Sequence, residues 1–218
     1  MISKYLSYHH NFDDIVKNDP SKMAVSDYWY LKSHNPSNWC WNSDMFSSQE
    51  LERIIVLGKR LIPSRAETGT GQERLDIRRS YISWININSE TSWIFGRITE
   101  YAIENNKKYW NYDLDKIERI QFTHYLSEEN GAYLPHVDPL HWSNPHNRKL
   151  SFVLQLSDPS EYEGGELRLN DSPPNLTTVR KQKGLAAFFP SHILHEVTPV
   201  TKGERYSLVA WIHGPNLR

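Results

Sequence analysis

Residues 184–213 read GLAAFFPSHILHEVTPVTKGERYSLVAWIH, and the spacing of their apolar positions decides the fold. Three short segments, 184–189, 194–199 and 204–213, are the length of strands and are separated by turn-forming residues. In the last one, alternation puts Arg205, Ser207, Val209 and Trp211 on one face and Tyr206, Leu208, Ala210 and Ile212 on the other. Working outward, the same texture begins near Ile117 and predicts five more strands at 118–126, 132–137, 148–157, 165–169 and 176–181. Eight short strands in succession predict a sandwich or jelly roll rather than alternating βαβ units.

Upstream, the pattern is helical. Ser47 and Glu50 form an S-x-x-E capping box, and Leu51, Ile54, Ile55 and Leu61 recur on one face until Pro63 ends the run. A strand over 80–87 precedes a second helix over 89–105, with Trp93, Ile94, Ile98, Tyr101 and Ala102 facing the core. These helices are expected to pack on one sheet of a mainly β protein. The chain therefore reads as a single domain over 1–218: an irregular N-terminal segment (1–45), a helical support region (46–115) and a β core (116–214). The TGTG run at 68–71 lacks the Gly-Lys-Ser/Thr of a phosphate loop and is read as an exposed loop.

Composition excludes several classes. With 25 basic and 26 acidic residues the formal charge is −1, and no basic cluster is interleaved with stacking aromatics, so no nucleic-acid partner is expected. Eight Trp, twelve Tyr and seven Phe are too much apolar surface for a disordered chain. No apolar run spans a bilayer and no secretory h-region opens the chain, so a soluble cytoplasmic protein without a membrane partner is expected. Cys40, the single cysteine, forms no internal disulfide and is read as structural.

His136-Val137-Asp138 closes a predicted strand. Residues i and i+2 share a face, so an imidazole and a carboxylate converge there. A third ligand must come from elsewhere. His141, His146 and His192 compete on composition; His195 is preferred because LHEVTPV places it in an ordered wall, whereas His141 and His146 sit in the loop 139–147 and are read as surface or substrate-rim groups. His9, His10, His34, His124 and His213 show no partner pattern and are read as structural or solvated. Two His and one carboxylate make the facial triad of non-haem Fe(II), with coordination positions left open. Arg205 lies on the face of a buried strand, where an unpaired charge is costly, and beside the Ser207 hydroxyl it is suited to grip a carboxylate.

Three blocks carry a family resemblance: QFTHYLSEENGAYLPHVD (121–138), RKLSFVLQLSDPSEYEGGEL (148–167) and KGLAAFFPSHILHEVTPVTKGERYSLVAWIHG (183–214). In order and spacing they resemble the iron- and 2-oxoglutarate-dependent dioxygenases, in the prolyl 4-hydroxylase-like branch that includes the PKHD-type hydroxylases. The resemblance covers about 118–214. It implies a double-stranded β-helix of the jelly-roll kind, with His136, Asp138 and His195 holding Fe(II) and Arg205 binding the distal carboxylate of 2-oxoglutarate. Tyr125 matches a residue that hydrogen-bonds this cosubstrate. Gln155 stands where relatives can have a Tyr, and Trp211 and Tyr133 match pocket-lining positions. Asp138 stands where halogenating relatives have a small residue, so hydroxylation is implied. Gly164-Gly165-Glu166-Leu167 matches the family's GGEL turn and is read as a turn alone.

The implied activity is hydroxylation of a C–H bond, first of all in a prolyl residue of a peptide or protein. Oxygen and 2-oxoglutarate would be consumed, succinate and carbon dioxide released, and ascorbate would re-reduce oxidised iron. A free amino acid or small metabolite is the alternative substrate, and a non-catalytic jelly-roll binding module is the alternative class. The loop 139–147 and the N-terminal segment are candidate substrate lids. The sequence fixes no oligomeric state.

Overall fold

The computed structural model describes residues 37–67, 73–138, 146–172 and 175–215. The TGTG run, most of the 139–147 loop, His9, His10, His34, His141 and the side chain of His146 lie outside the described residues. Among the described residues two helices, α1 (Ser48–Arg60) and α2 (Ser92–Tyr109), accompany fourteen strands. Among the described residues no helix is long and apolar enough to cross a membrane.

The strands form two antiparallel sheets, the arrangement of a double-stranded β-helix. The major sheet runs β1 (Cys40–Asn42), β12 (Ala186–Pro190), β8 (His146–Gln155), β14 (Val200–Pro215), β6 (Ile120–Leu126), β4 (Tyr81–Ile85) and β2 (Ser64–Arg65). Two short strands, β5 (Lys116–Ile117) and β9 (Tyr162–Gly164), also pair with β14. The minor sheet runs β11 (Asn175–Thr178), β10 (Leu167–Ser172), β13 (His195–Val197), β7 (Ala132–His136) and β3 (Arg78–Arg79).

Period-two alternation divides the core into two layers. Phe152, Phe188, Leu208, Ala210 and Ile212 face the helices and pack against Leu51, Ile54, Ile94, Phe95 and Ile98. Their strand neighbours Val153, Ala187 and Phe189 face the other way, where they meet Leu167, Leu169 and Val197 of the minor sheet. Strands buried on both faces explain why β12 reads as a continuous apolar run. The helices cover the major sheet, as the periodicity predicts.

Local chemistry sets the helix ends. Ser47 Oγ accepts from the Glu50 N–H at 3.3 Å and Glu50 Oε2 accepts from the Ser47 N–H at 2.8 Å, which completes the predicted capping box. The second helix begins three residues later than its apolar pattern, because Asn88 Oδ1 accepts from the Glu90 and Thr91 N–H groups and holds a turn there. It continues past 105 and is closed by Asn111 in the left-handed region at φ 55°. Cys40–Asn42, inside the stretch read as irregular, pairs as a strand with Phe188–Ala186. The region read as helical support supplies β2 and β3 as well as the expected β4. Two- and three-residue strands leave no periodic signal.

Candidate metal centre

The site forms where the ends of two adjacent minor-sheet strands meet. His136, the last residue of β7, lies opposite His195, the first of β13, in the antiparallel ladder. Two residues beyond, Asp138 is fixed by its backbone N–H donating to Ser191 O at 3.0 Å. One ligand atom from each of these three side chains lies within 4.8 Å of the others.

Each imidazole is held by its far nitrogen. His136 Nδ1 donates to Leu134 O at 2.8 Å and His195 Nδ1 to Ile193 O at 2.9 Å, which leaves both Nε2 lone pairs for a cation. His195 Nε2 is 3.7 Å from Asp138 Oδ2. Desolvation, followed by the neighbouring His195, holds the His136 imidazole well below its ordinary pKa, so it is neutral and able to ligate at pH 7. The Tyr133 ring stacks on His136, and the Phe189 edge meets His195 with centroids 4.8 Å apart. Ser151 Oγ donates to Asp138 Oδ2 and lies 3.0 Å from Ser191 Oγ. These contacts orient the carboxylate from behind.

A cavity of about 750 Å³ opens from this point between the sheets. It is lined by the three ligands, Arg205, Tyr125, Tyr133, Ser207 and Trp211, so the structure brings together all but one of the residues read from the sequence. The exception is Gln155. It follows the inward parity of its strand, but it lies outside the cavity lining, and its Nε2 donates to Arg180 O at 2.7 Å. His192 is exposed and outside the ligand group. His124 projects from the opposite parity of β6 and pairs with Glu204 at 3.0 Å.

Arg205 is 1% exposed. Its Nη1 donates to Ser207 Oγ at 3.3 Å and its guanidinium carbon lies 5.4 Å from the Tyr125 ring centre. Nε and Nη2 are buried with no hydrogen-bond partner among the described residues. Gly165 gives this side chain its room: at φ +63°, a Cβ there would stand 2.8 Å from Arg205 Cδ. The GGEL segment, expected to be a turn alone, therefore also packs against Arg205.

Sequence reasoning missed part of the wall. Arg148 forks onto Glu118 at 2.7 and 3.0 Å and lies 3.7 Å over the Trp211 ring, and His213 also bonds Glu118. Desolvation pushes the Glu118 carboxyl up, but the His213 and Arg148 hydrogen bonds and charges outweigh it and hold its pKa at about 2. Strand parity could have found Ser151, which shares the inward face of β8 with Val153.

The donor set fits a divalent iron: two imidazole nitrogens and one carboxylate on one side, with the cavity on the other. The buried guanidinium, whose Nε and Nη2 have no partner among the described residues, fits a dicarboxylate beside it. Comparison with known proteins agrees. A sequence profile of the 2OG-Fe(II) oxygenase superfamily matches residues 120–213. A PKHD-type hydroxylase of Maricaulis maris is 38% identical over 96 residues, 44% of this chain and 42% of that protein. The PKHD-type hydroxylase YbiX of Escherichia coli is 42% identical over 89 residues, 39% of each. The chain thus matches about two-fifths of the length of these curated relatives. Among solved structures, a Pseudomonas putida prolyl-4-hydroxylase superposes with a TM-score of 0.66 at 22% identity, covering 82% of this chain and 94% of that one. A Trichoplax adhaerens prolyl hydroxylase, solved with a hypoxia inducible factor oxygen degradation domain peptide fragment, gives 0.68 at 18% identity, covering 80% and 83%. At these identities the structural likeness concerns the fold. Residues 120–213 of this chain, which carry the ligand triad and Arg205, are thus similar in sequence to the 2OG-Fe(II) oxygenase superfamily.

Proposed function

We propose that the protein is an Fe(II)- and 2-oxoglutarate-dependent oxygenase that hydroxylates a C–H bond in a prolyl residue of a peptide or protein. One observation carries the reading: three side chains placed to hold a metal and a buried arginine with no carboxylate partner among the described residues line the same cavity. The PKHD-type names of the sequence relatives support hydroxylation, and the prolyl hydroxylases among the structural neighbours support the prolyl acceptor.

The two histidine Nε2 atoms and Asp138 would hold the iron. Iron with 2-oxoglutarate supplies the oxygen-activating chemistry, in which the cosubstrate is decarboxylated to succinate and a C–H bond gains the hydroxyl. Arg205 and Ser207 would bind the distal carboxylate through charge-assisted hydrogen bonds, with Tyr125 beside them. Ser151 fixes the orientation of Asp138, and the carbonyls of Leu134 and Ile193 fix both imidazole tautomers. Val153, Leu167, Phe189 and Val197 give the cavity an apolar wall that excludes water from the reacting C–H bond.

The test is succinate formation from 2-oxoglutarate with Fe(II), oxygen and ascorbate, for wild type and Asp138→Ala, with proline-containing peptides, free proline or no acceptor. Peptide-stimulated turnover that disappears in the variant is the expected result. Stimulation by free proline alone would replace the peptide by a small molecule. Absence of turnover in fully metallated protein would leave a binding module.

A further inference from the structure

Besides Arg205, two guanidinium groups in the cavity wall have no carboxylate partner among the described residues. Arg78 is 7% exposed, yet it bonds only neutral groups: Nε donates to Ser80 Oγ at 2.9 Å and Nη2 to Gln121 Oε1 at 2.8 Å. Its guanidinium carbon lies 4.6 Å from the centre of the Tyr133 ring, the ring that stacks on His136. Arg119 is exposed, with its guanidinium carbon 4.1 Å from the centre of the Trp84 ring. Strand register places the two on one wall. Trp84 lies opposite Gln121 in the β4–β6 ladder, Arg119 stacks on Trp84, and Arg78 bonds Gln121.

The charges around them do not balance. Among the described lining residues, five arginines face three acids, Glu67, Glu118 and Asp138. Arg65 is committed to Glu129 and Arg148 to Glu118, while Asp138 is a metal ligand. Arg205 is reserved for the cosubstrate under the function proposed above, on which this inference rests. Only Glu67, itself exposed, remains against Arg78 and Arg119.

We propose that the acceptor is an acidic peptide, whose side-chain carboxylates flank the residue to be hydroxylated and are read by Arg119 at the rim and Arg78 deeper in the cavity. A guanidinium lying flat on an indole keeps its edge N–H groups free to fork onto a carboxylate. A cation buried like Arg78 gains more from an incoming counter-charge than a solvated one does, because its own desolvation cost is already incurred. The neutral contacts to Ser80 and Gln121 hold it in place for that role.

The test separates binding from turnover. Three fluorescent peptides carrying one proline flanked by Glu, Gln or Lys are titrated with the full chain, with Mn(II) in place of iron and 2-oxoglutarate present, and anisotropy is read. The Glu peptide should bind roughly tenfold tighter than the Gln peptide, and the Lys peptide weakest. The Glu preference should shrink as salt is raised. Arg119→Gln should cut that preference roughly threefold. Arg78→Gln should cut it further, and Arg119→Gln keeps the test decisive if that buried substitution impairs folding. Equal affinities for the three peptides, or a Glu preference untouched by Arg119→Gln, would overturn the inference. Succinate assays on the same peptides report separately: turnover without a Glu preference sinks this inference alone, whereas a Glu preference without turnover sinks the oxygenase reading and keeps the anion-binding wall.

Discussion

Replacing Arg205 by methionine should stabilise the ligand-free protein and at the same time remove its response to 2-oxoglutarate. The side chain is 1% exposed, and its Nε and Nη2 have no hydrogen-bond partner among the described residues. A buried polar group left unsatisfied costs about 1–3 kcal/mol, so two of them cost about 2–6 kcal/mol. Against this stand one 3.3 Å bond to Ser207 and the Tyr125 contact at 5.4 Å, each worth about 1 kcal/mol. Methionine fills similar space without charge, so Arg205→Met should gain about 2 kcal/mol, the middle of a range of about 0–4 kcal/mol, or about 4–8 °C in Tm for a chain of this size. The assay is urea unfolding with Mn(II) present, with and without 2-oxoglutarate at a hundred times the wild-type Kd. Wild type should gain about 2.7 kcal/mol from the cosubstrate. If losing the fork weakens binding a hundredfold, the variant should gain only about 0.4 kcal/mol. A variant less stable than wild type without 2-oxoglutarate would mean that Arg205 already has an internal counter-charge, and would refute its assignment as the anion site.

Ser151→Ala removes the hydroxyl that orients Asp138 and should weaken metal binding roughly tenfold with the fold intact, measured by chelator competition; unchanged affinity would show that the carboxylate needs no such support. The Glu118 carboxyl is held at about 2 in the folded protein against an ordinary value of 4.5, so it contributes stability above pH 4.5 that is lost as pH falls toward 2. Glu118→Gln should flatten the acid limb of the stability curve across that window, and an acid limb of unchanged slope would argue against the Arg148–Glu118–His213 contacts. Gly165→Ala should cost about 1–2 kcal/mol through its positive φ and should also weaken 2-oxoglutarate binding, because the new Cβ meets Arg205 Cδ. Calorimetric titration showing wild-type affinity would mean that the arginine relocates freely.

Much of this arrangement was legible because strand parity is rigid. Once 204–213 is read as a strand, Arg205 and Ser207 must share a face, and the structure places both in the cavity wall with Trp211. The same reasoning joins His136 to Asp138, and the capping box at Ser47 sets the start of α1. Parity fails where position along the strand matters as well as face. Gln155 points inward but sits beyond the cavity and bonds a carbonyl instead. Arg78 was not legible at all, since a two-residue strand has no period and its Gln121 partner is 43 positions away. The support that Gly165 gives Arg205 is a contact across the fold, and nothing local in GGEL announces it.

The ladder that sets His136 against His195 also bears on how the chain comes apart. Both strands are short, and the segments they join are far apart in sequence, so this pairing carries a large loop-closure cost and is expected to form late in folding. A cation bound at that junction acts as a clasp on contacts absent from the folding transition state. Its stabilisation should then appear almost entirely as slower unfolding, so that the metallated protein would be kinetically persistent while refolding at the same rate as the apo chain.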